Sequence, residues 1–443
     1  MARLSKQEVA WALYDWAASA FALCVLAGFF PVLFQSYWAR NLSASEETFW
    51  YGILVAGASL FGAILAPWIG TLADSGQSRK KWLFCFALLG MCCTCGLILV
   101  GRNHWPLAGA IFMIGTIGYY GAFIAYNSLL PCVSPPGNRH FVSGLGFALG
   151  YLGGVILFVV SIVVVKNFAT LGLASETAAV HLTFIAAAIW WLVFTLPLLL
   201  LVHEPHRDAT QIPVATYLHR LLQTLREISQ NRSVIIFLIA YWLYIDGVNT
   251  VVSMASNYGK TLGFSTGTML GTLILAQVVG VPSTLLVTYL ASKFRALPFL
   301  FAGIALYLFT VGYAAVMPTT PVKIFGFPVS SLYVLGFLVG CAQGGIQALS
   351  RSTFSLLIPP GRTASYFGVY NMLGQYAALL GPLAMALVTR MTGSPRWGVA
   401  SIALLFLGGG IMLTQLGHEE GKKVEGKKLE GKKRAVFAGP GKP

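Results

Sequence analysis

The run Trp11-Ala12-Leu13-Tyr14-Asp15-Trp16-Ala17-Ala18-Ser19-Ala20-Phe21 sets a carboxylate inside an apolar stretch that continues to about Tyr37. An ionisable group in a segment of membrane length is costly, and it normally faces a cavity or a partner rather than lipid. The feature recurs far downstream in Trp242-Leu243-Tyr244-Ile245-Asp246-Gly247-Val248-Asn249-Thr250. In both places a Trp precedes the Asp by four residues, with an aromatic between them. Asp15 and Asp246 are the acids that fall well inside apolar segments. One unusual device used twice points to a duplicated membrane protein.

The composition agrees. Of 443 residues, 57% are hydrophobic and only 10% charged, and mean hydropathy is +0.74. A soluble surface needs more charge than this. Twelve segments reach the roughly 20 apolar residues a spanning helix requires: about 10–38, 50–73, 82–101, 105–131, 141–165, 180–202, 234–256, 268–291, 297–316, 328–350, 364–389 and 397–416. The fold class is therefore all-α, in two six-helix bundles, 1–202 and 234–417. Between them lies a polar linker, 203–233, with an amphipathic piece at about Thr216 to Ile228. A low-complexity basic tail, 418–443, repeats Gly-Lys-Lys; it reads as solvated, or as touching anionic lipid headgroups. The first apolar run is too long for a cleavable signal and carries an Asp and two Trp.

The net charge of +15 invites a nucleic-acid reading, but the placement of the charges does not. With the N terminus inside, the inner set before the tail is Arg3, Lys6, Arg79, Lys80, Lys81, Arg139, Arg207, Arg220, Arg226, Arg232, Lys293, Arg295, Arg351 and Arg362. The outer set is Arg40, Arg102, Lys166, Lys260, Lys323, Arg390 and Arg396. Fourteen against seven is the asymmetry of a membrane protein with both termini in the cytoplasm. No nucleic-acid partner is expected; the partners are the bilayer, a small-molecule substrate and protons, and the chain is expected to be a monomer. A bacterial inner membrane is the expected location.

A second repeat marks the halves. Ser128-Leu129-Leu130, Pro135-Pro136-Gly137 and Gly144 are matched by Ser355-Leu356-Leu357, Pro359-Pro360-Gly361 and Gly368. A parallel duplication of six helices resembles the major facilitator fold, in which two bundles rock about a central site. Gly70-Thr71-Leu72-Ala73-Asp74, followed by Arg79-Lys80-Lys81, resembles that superfamily's signature loop, with Ser75 where an Arg is usual. Asp74 can pair with a basic group and cap a helix N terminus, so Gly70, Asp74, Arg79 and Lys80 are the expected cytosolic gate. Leu13-Tyr14-Asp15-Trp16-Ala17 with Ser19-Ala20-Phe21, and Tyr244, Asp246-Gly247-Val248 and Thr250, are similar to the autophagy-related vacuolar effluxer family of major facilitators. That resemblance implies a transporter and hints at amino acids.

Asp15 and Asp246, with Tyr14, Tyr244 and Asn249, are the candidates for proton coupling or substrate binding; a buried carboxylate can exchange protons near neutral pH. The alternative is that each Asp braces a neighbouring or broken helix. Helical spacing groups Tyr119, Tyr120, Tyr126 and Asn127 on the fourth helix, Gln343 and Gln347 on the tenth, and Tyr370, Asn371 and Gln375 on the eleventh. With Gln277 on the eighth, these are the expected polar cavity lining, suited to a zwitterion. Interhelical hydrogen bonding is the other reading of the same residues. Gly146, Gly150 and Gly154 make a small-residue stripe that close packing explains. Cys92, Cys93 and Cys95 have no His beside them, so no metal is expected. No cofactor or catalytic constellation is expected either, and no phosphate-binding Gly-rich loop occurs. The expected function is proton-coupled transport of an amino-acid-like solute by alternating access. The rivals are proton-coupled efflux or uptake of drug-like or siderophore-like molecules and, in another class, a lipid scramblase or a non-transporting membrane protein.

Overall fold

The computed structural model describes residues 4–74, 78–204, 214–324, 326–359, 361–377 and 380–417. The tail from 418, linker residues 205–213, Ser75 and Gly76 of the loop, and Pro360 of the second Pro-Pro-Gly lie outside these. Twelve helices among the described residues are long and apolar enough to cross a membrane. They are Lys6–Trp38, Phe49–Asp74, Arg79–Leu99, Trp105–Val133, Arg139–Lys166, Glu176–Leu201, Arg232–Ala255, Gly267–Lys293, Ala296–Val316, Ser331–Leu357, Thr363–Thr392 and Pro395–Gly417. The chain is an all-α, multi-pass integral membrane protein. A linker helix, Val214–Gln230, follows the sixth span.

Three local features depart from the sequence reading, each for a physical reason. The first span starts earlier, at Lys6, because Ser5 and Glu8 form a reciprocal cap: Ser5 Oγ accepts from the Glu8 N–H, and Glu8 accepts from the Ser5 N–H. This sets Asp15 about 14 Å into the first span and Asp246 about 21 Å into the seventh, by the helical rise. The tenth span starts later, at Ser331, because residues 328 and 329 belong to a short hairpin, β1 (Val322–Ile324) against β2 (Phe327–Val329). The eleventh span is broken into Thr363–Tyr376 and Leu380–Thr392. Pro382, in the first turn of the second piece, has no N–H with which to carry the helical hydrogen-bond ladder back through the break.

The buried apolar residues form two large cores. One runs from Ala10 to Val202 and the other from Ile228 to Leu416. Each half thus has an apolar core of its own, while the second span and the first piece of the eleventh pack chiefly on each other across the seam. Glycines let the halves approach at one end, the end that carries Asp74, Ser78 and most of the Lys and Arg among the described residues. A Cβ on Gly70 would strike the Ala364 carbonyl, and one on Gly144 would strike the Thr288 hydroxyl. One on Gly368 would lie 2.7 Å from the Ala66 carbonyl. At this basic end the halves touch backbone to backbone. At the opposite end they part around a cavity of about 910 Å³.

Candidate functional site

The centre of the seam is Arg351, the one charged side chain in the interior of the tenth span. It is 2% exposed, and its partners come from the other half. Nη1 and Nη2 donate to Asp15 Oδ2 at 3.0 and 3.1 Å. Nε donates to Ser143 Oγ at 2.9 Å and Nη2 to the Ser143 carbonyl at 2.8 Å. Nη1 also reaches Asn127 Oδ1 at 3.4 Å. The guanidinium carbon sits 4.3 Å from the Phe147 ring centroid and 4.8 Å from that of Trp11. Asp15 takes a further bond from the Tyr126 hydroxyl at 2.8 Å. A Cβ on Gly146 would strike Asp15 Oδ2, so the glycine stripe of the fifth span is what admits the first span with its carboxylate. Arg351, expected among the inner-surface charges, is instead buried in the seam. Its face-sharing with Gln343 and Gln347, deep in an apolar helix, was the available signal that it is buried.

Below this pair lies a second polar layer. Asp74 Oδ1 pairs with Arg79 Nη2 at 2.9 Å. Asp74 Oδ2 accepts from the Ser365 N–H at 2.7 Å, capping the eleventh span across the seam. Arg79 also donates to Thr363 Oγ1 at 2.6 Å. His140 Nδ1 and Ser352 Oγ lie 2.8 Å apart, and Arg139 donates to the Ser355 carbonyl at 3.2 Å. Lys80 stands outside this layer, contrary to the expected gate. Its ammonium donates to the Leu199 and Val202 carbonyls, 3.0 and 2.6 Å away, closing the end of the sixth span within its own half, where cations are favoured.

Asp246 does something different. It is fully buried and has no cation beside it among the described residues. Oδ2 accepts from the Leu380 N–H at 3.1 Å and Oδ1 from the Gly381 N–H at 2.8 Å. Asn249, one turn on, donates to the Gly374 and Ala377 carbonyls, both at 3.4 Å. The two side chains thus serve both faces of the break in the eleventh span: the carboxylate meets the freed donors and the amide meets the freed acceptors. Backbone groups at that depth need such partners. Asp246→Ala is expected to cost about 2–4 kcal/mol of stability by stranding two N–H groups, read as a lower melting temperature and faster amide exchange over 380–392. Asp246→Asn, which keeps an acceptor, is expected to lose less.

The expected polar lining is redistributed. Gln277 and Gln343 line the cavity; the other members do not. Tyr119 is packed inside its own half against Phe21 and Trp191. Tyr126 stacks on Trp11 at 4.3 Å, and Tyr370 stacks on Tyr241 at 4.1 Å. Asn127 donates to Asn371 Oδ1 at 3.4 Å across the seam, and Gln347 accepts from Tyr151 at 3.2 Å, also across it. Tyr120 lies within reach of Ser59 and Gln375. Tyr244 meets Ser350 Oγ at 2.6 Å, whereas the Tyr14 hydroxyl is buried beside Trp191 with no hydrogen bond of normal geometry. With the halves pressed together at the basic end, the polar faces at that depth bond to each other. Helical spacing shows which residues share a face but not which end of the face is open.

Two bundles joined by a polar seam at one end and parted around a cavity at the other are the architecture of a major facilitator transporter, a non-enzymatic class. Solved structures agree. The chain superposes on the proton:xylose symporter XylE with a TM-score of 0.67 at 16% identity, covering 93% of this chain and 94% of that one. It superposes on the E. coli fucose:proton symporter FucP with a TM-score of 0.68 at 17% identity, over 93% and 97%. The family model described as vacuole effluxer Atg22 like matches residues 52–140 and 134–426, and the chain belongs to that family. It is 35% identical over 424 residues to the uncharacterized MFS-type transporter YxiO of Bacillus subtilis, covering 95% of this chain and 96% of that protein. It is also 24% identical over 520 residues to autophagy-related protein 22 of Coccidioides immitis, over 91% and 85%.

Proposed function

We propose that this transporter carries a small organic solute by alternating access, the halves closing by turns over the basic end and over the opposite end. One observation carries the reading: among the described residues, the charged contacts between the halves gather at the basic end, while the opposite end is parted around the cavity. The count of Lys and Arg supports placing the basic end, with both chain termini, in the cytoplasm. Asp15 and Arg351 are then the lock. A proton on Asp15 would remove the charge that holds Arg351 in place, which couples opening of the cytoplasmic side to proton uptake. Gly70, Asp74 and Arg79 form the outer part of the same closure. Asp246 and Asn249 are bracing residues for the eleventh span in this reading. An amino-acid-like solute rests on the family resemblance alone; the apolar cavity wall does not favour it.

The test is a pair of distances. In a variant with the seven native cysteines replaced, spin labels at Lys81 and Lys293 report the basic end, and labels at Arg102 and Lys323 report the other; all four positions are exposed. In lipid nanodiscs, each pair is expected to show a short and a long distance whose populations move oppositely. Asp15→Asn is expected to favour the long distance at the basic end. A single unchanging distance in both pairs, across pH and in the variant, would refute alternating access.

A further inference from the structure

The chemistry of the cavity points to its cargo, on the reading that the cavity is the transport site. The N-terminal half contributes an apolar wall that includes Leu23, Phe29, Val155, Phe158, Ile162 and Val165. Its only charged lining residues, Lys166 and Glu176, are exposed at the mouth. The C-terminal half adds three methionines, Met254, Met269 and Met385, whose soft, adaptable side chains suit varied apolar shapes. Its hydroxyls are already engaged with backbone carbonyls: Thr250 with Asp246 at 2.7 Å, Thr272 with Thr268 at 2.8 Å, Thr310 with Leu306 at 2.7 Å and Tyr258 with Ala314 at 2.7 Å.

Two lining amides differ. Gln277 and Gln343 have no hydrogen-bond partner among the described residues. They are also the deepest cavity-lining residues of the eighth and tenth spans, so both sit at the floor. Gln343 lies one helical turn above Gln347, which Tyr151 holds from the other half. We propose that the cargo is an uncharged amphiphile, an organic molecule with a neutral hydrogen-bonding head and an apolar body. Its head meets the amide pair at the floor and its body lies against the apolar wall. A glutamine amide both donates and accepts, so the pair can satisfy a carboxamide or hydroxyl head fully. A free ammonium or carboxylate at that depth would find no opposite charge among the lining residues, since Asp246 lies behind Thr250 and is engaged by the Leu380 and Gly381 N–H groups; burying an unpaired ion is far more costly than burying a neutral polar group.

Three probes that share one body and differ in head charge isolate this point: decanamide, decanoate and decylammonium, with leucine as the zwitterion. Each is titrated against the full chain in nanodiscs while the melting temperature is followed. Decanamide is expected to stabilise the protein at about a tenfold lower concentration than either charged congener, and leucine not at all. In Gln277→Leu/Gln343→Leu, the decanamide requirement is expected to rise about tenfold, with the unliganded melting temperature close to that of the parent and the two label distances still alternating. Stabilisation by leucine, equal potency of the three decyl probes, or undiminished decanamide potency in the double variant (a bilayer effect only) would each overturn the assignment. If the label distances fail to alternate in the parent protein, the transport reading falls instead. If they alternate and leucine alone binds, only the cargo class falls.

Discussion

Arg351→Leu is expected to empty the state in which the basic end is closed. The substitution leaves Asp15 buried with the Tyr126 hydroxyl as its remaining side-chain partner, and breaking a buried pair by removing one member costs about 3–5 kcal/mol. That corresponds to a shift of roughly a hundredfold or more in the balance between the two states. The labels at Lys81 and Lys293 check it: the short distance should all but vanish. Arg351→Lys should rescue little. The guanidinium makes its contacts as a planar fork, to Asp15, to both oxygens of Ser143 and to Asn127, and it lies over the Phe147 ring; an ammonium reproduces neither arrangement. Asp15→Leu/Arg351→Leu should recover much of the short distance, because exchanging a buried ion pair for apolar groups is often neutral. Persistence of the short distance in Arg351→Leu would remove the pair from the closing mechanism.

Gly70→Leu should act on the same equilibrium from the far side of the seam. A side chain there meets the Ala364 carbonyl and then the Gly368 Cα, which are backbone atoms that cannot step aside as a flexible side chain would. Overpacking typically costs about 1–3 kcal/mol, enough to lower the closed population by roughly 5- to 150-fold. The halves themselves need not be destabilised, because Gly70 borders the other half rather than its own core. Expected together are a long distance at the basic end, a short one at the opposite end and a near-parental melting temperature. A lower melting temperature without the change in distances would mean that Gly70 packs for stability alone.

Much of this arrangement could be read from the residues, and the parts that could not share a cause. The twelve spans follow from apolar length. Boundaries moved at the Ser5–Glu8 cap and at the hairpin before Ser331, and the eleventh span broke near Pro382; the sixth span also begins at Glu176 rather than 180, and the tenth runs past its expected end at 350 to Leu357. Asp15 and Asp246 stood out because a carboxylate within an apolar helix needs explaining. Their different circumstances did not show, since one partner is an arginine in the opposite half and the other is a pair of backbone N–H groups exposed by a break. Of the tyrosines and amides expected to line one cavity, Tyr119 and Tyr370 pack against aromatics of their own halves, and a face that meets the seam runs the length of a helix. Asn127 and Asn371 meet at the closed end while Gln343 meets the cavity, and that distinction belongs to the relative tilt of the halves rather than to any single stretch. Lys80 was misplaced because adjacency to Arg79 in sequence does not give a shared direction on a helix.

The separate cores of the two halves have a bearing on how the protein is made. Asp15 and Arg351 are 336 residues apart, so at about 5–20 residues per second the ribosome delivers the arginine roughly 20–70 s after the carboxylate. For that interval the first half must stand in the bilayer alone. It has the means to do so: its aromatic core is complete by Val202, and Tyr126, from the same half, already donates to Asp15. The hydroxyl that looks like a minor member of the finished seam is the nascent chain's interim partner for a charge whose counterion has not yet been synthesised.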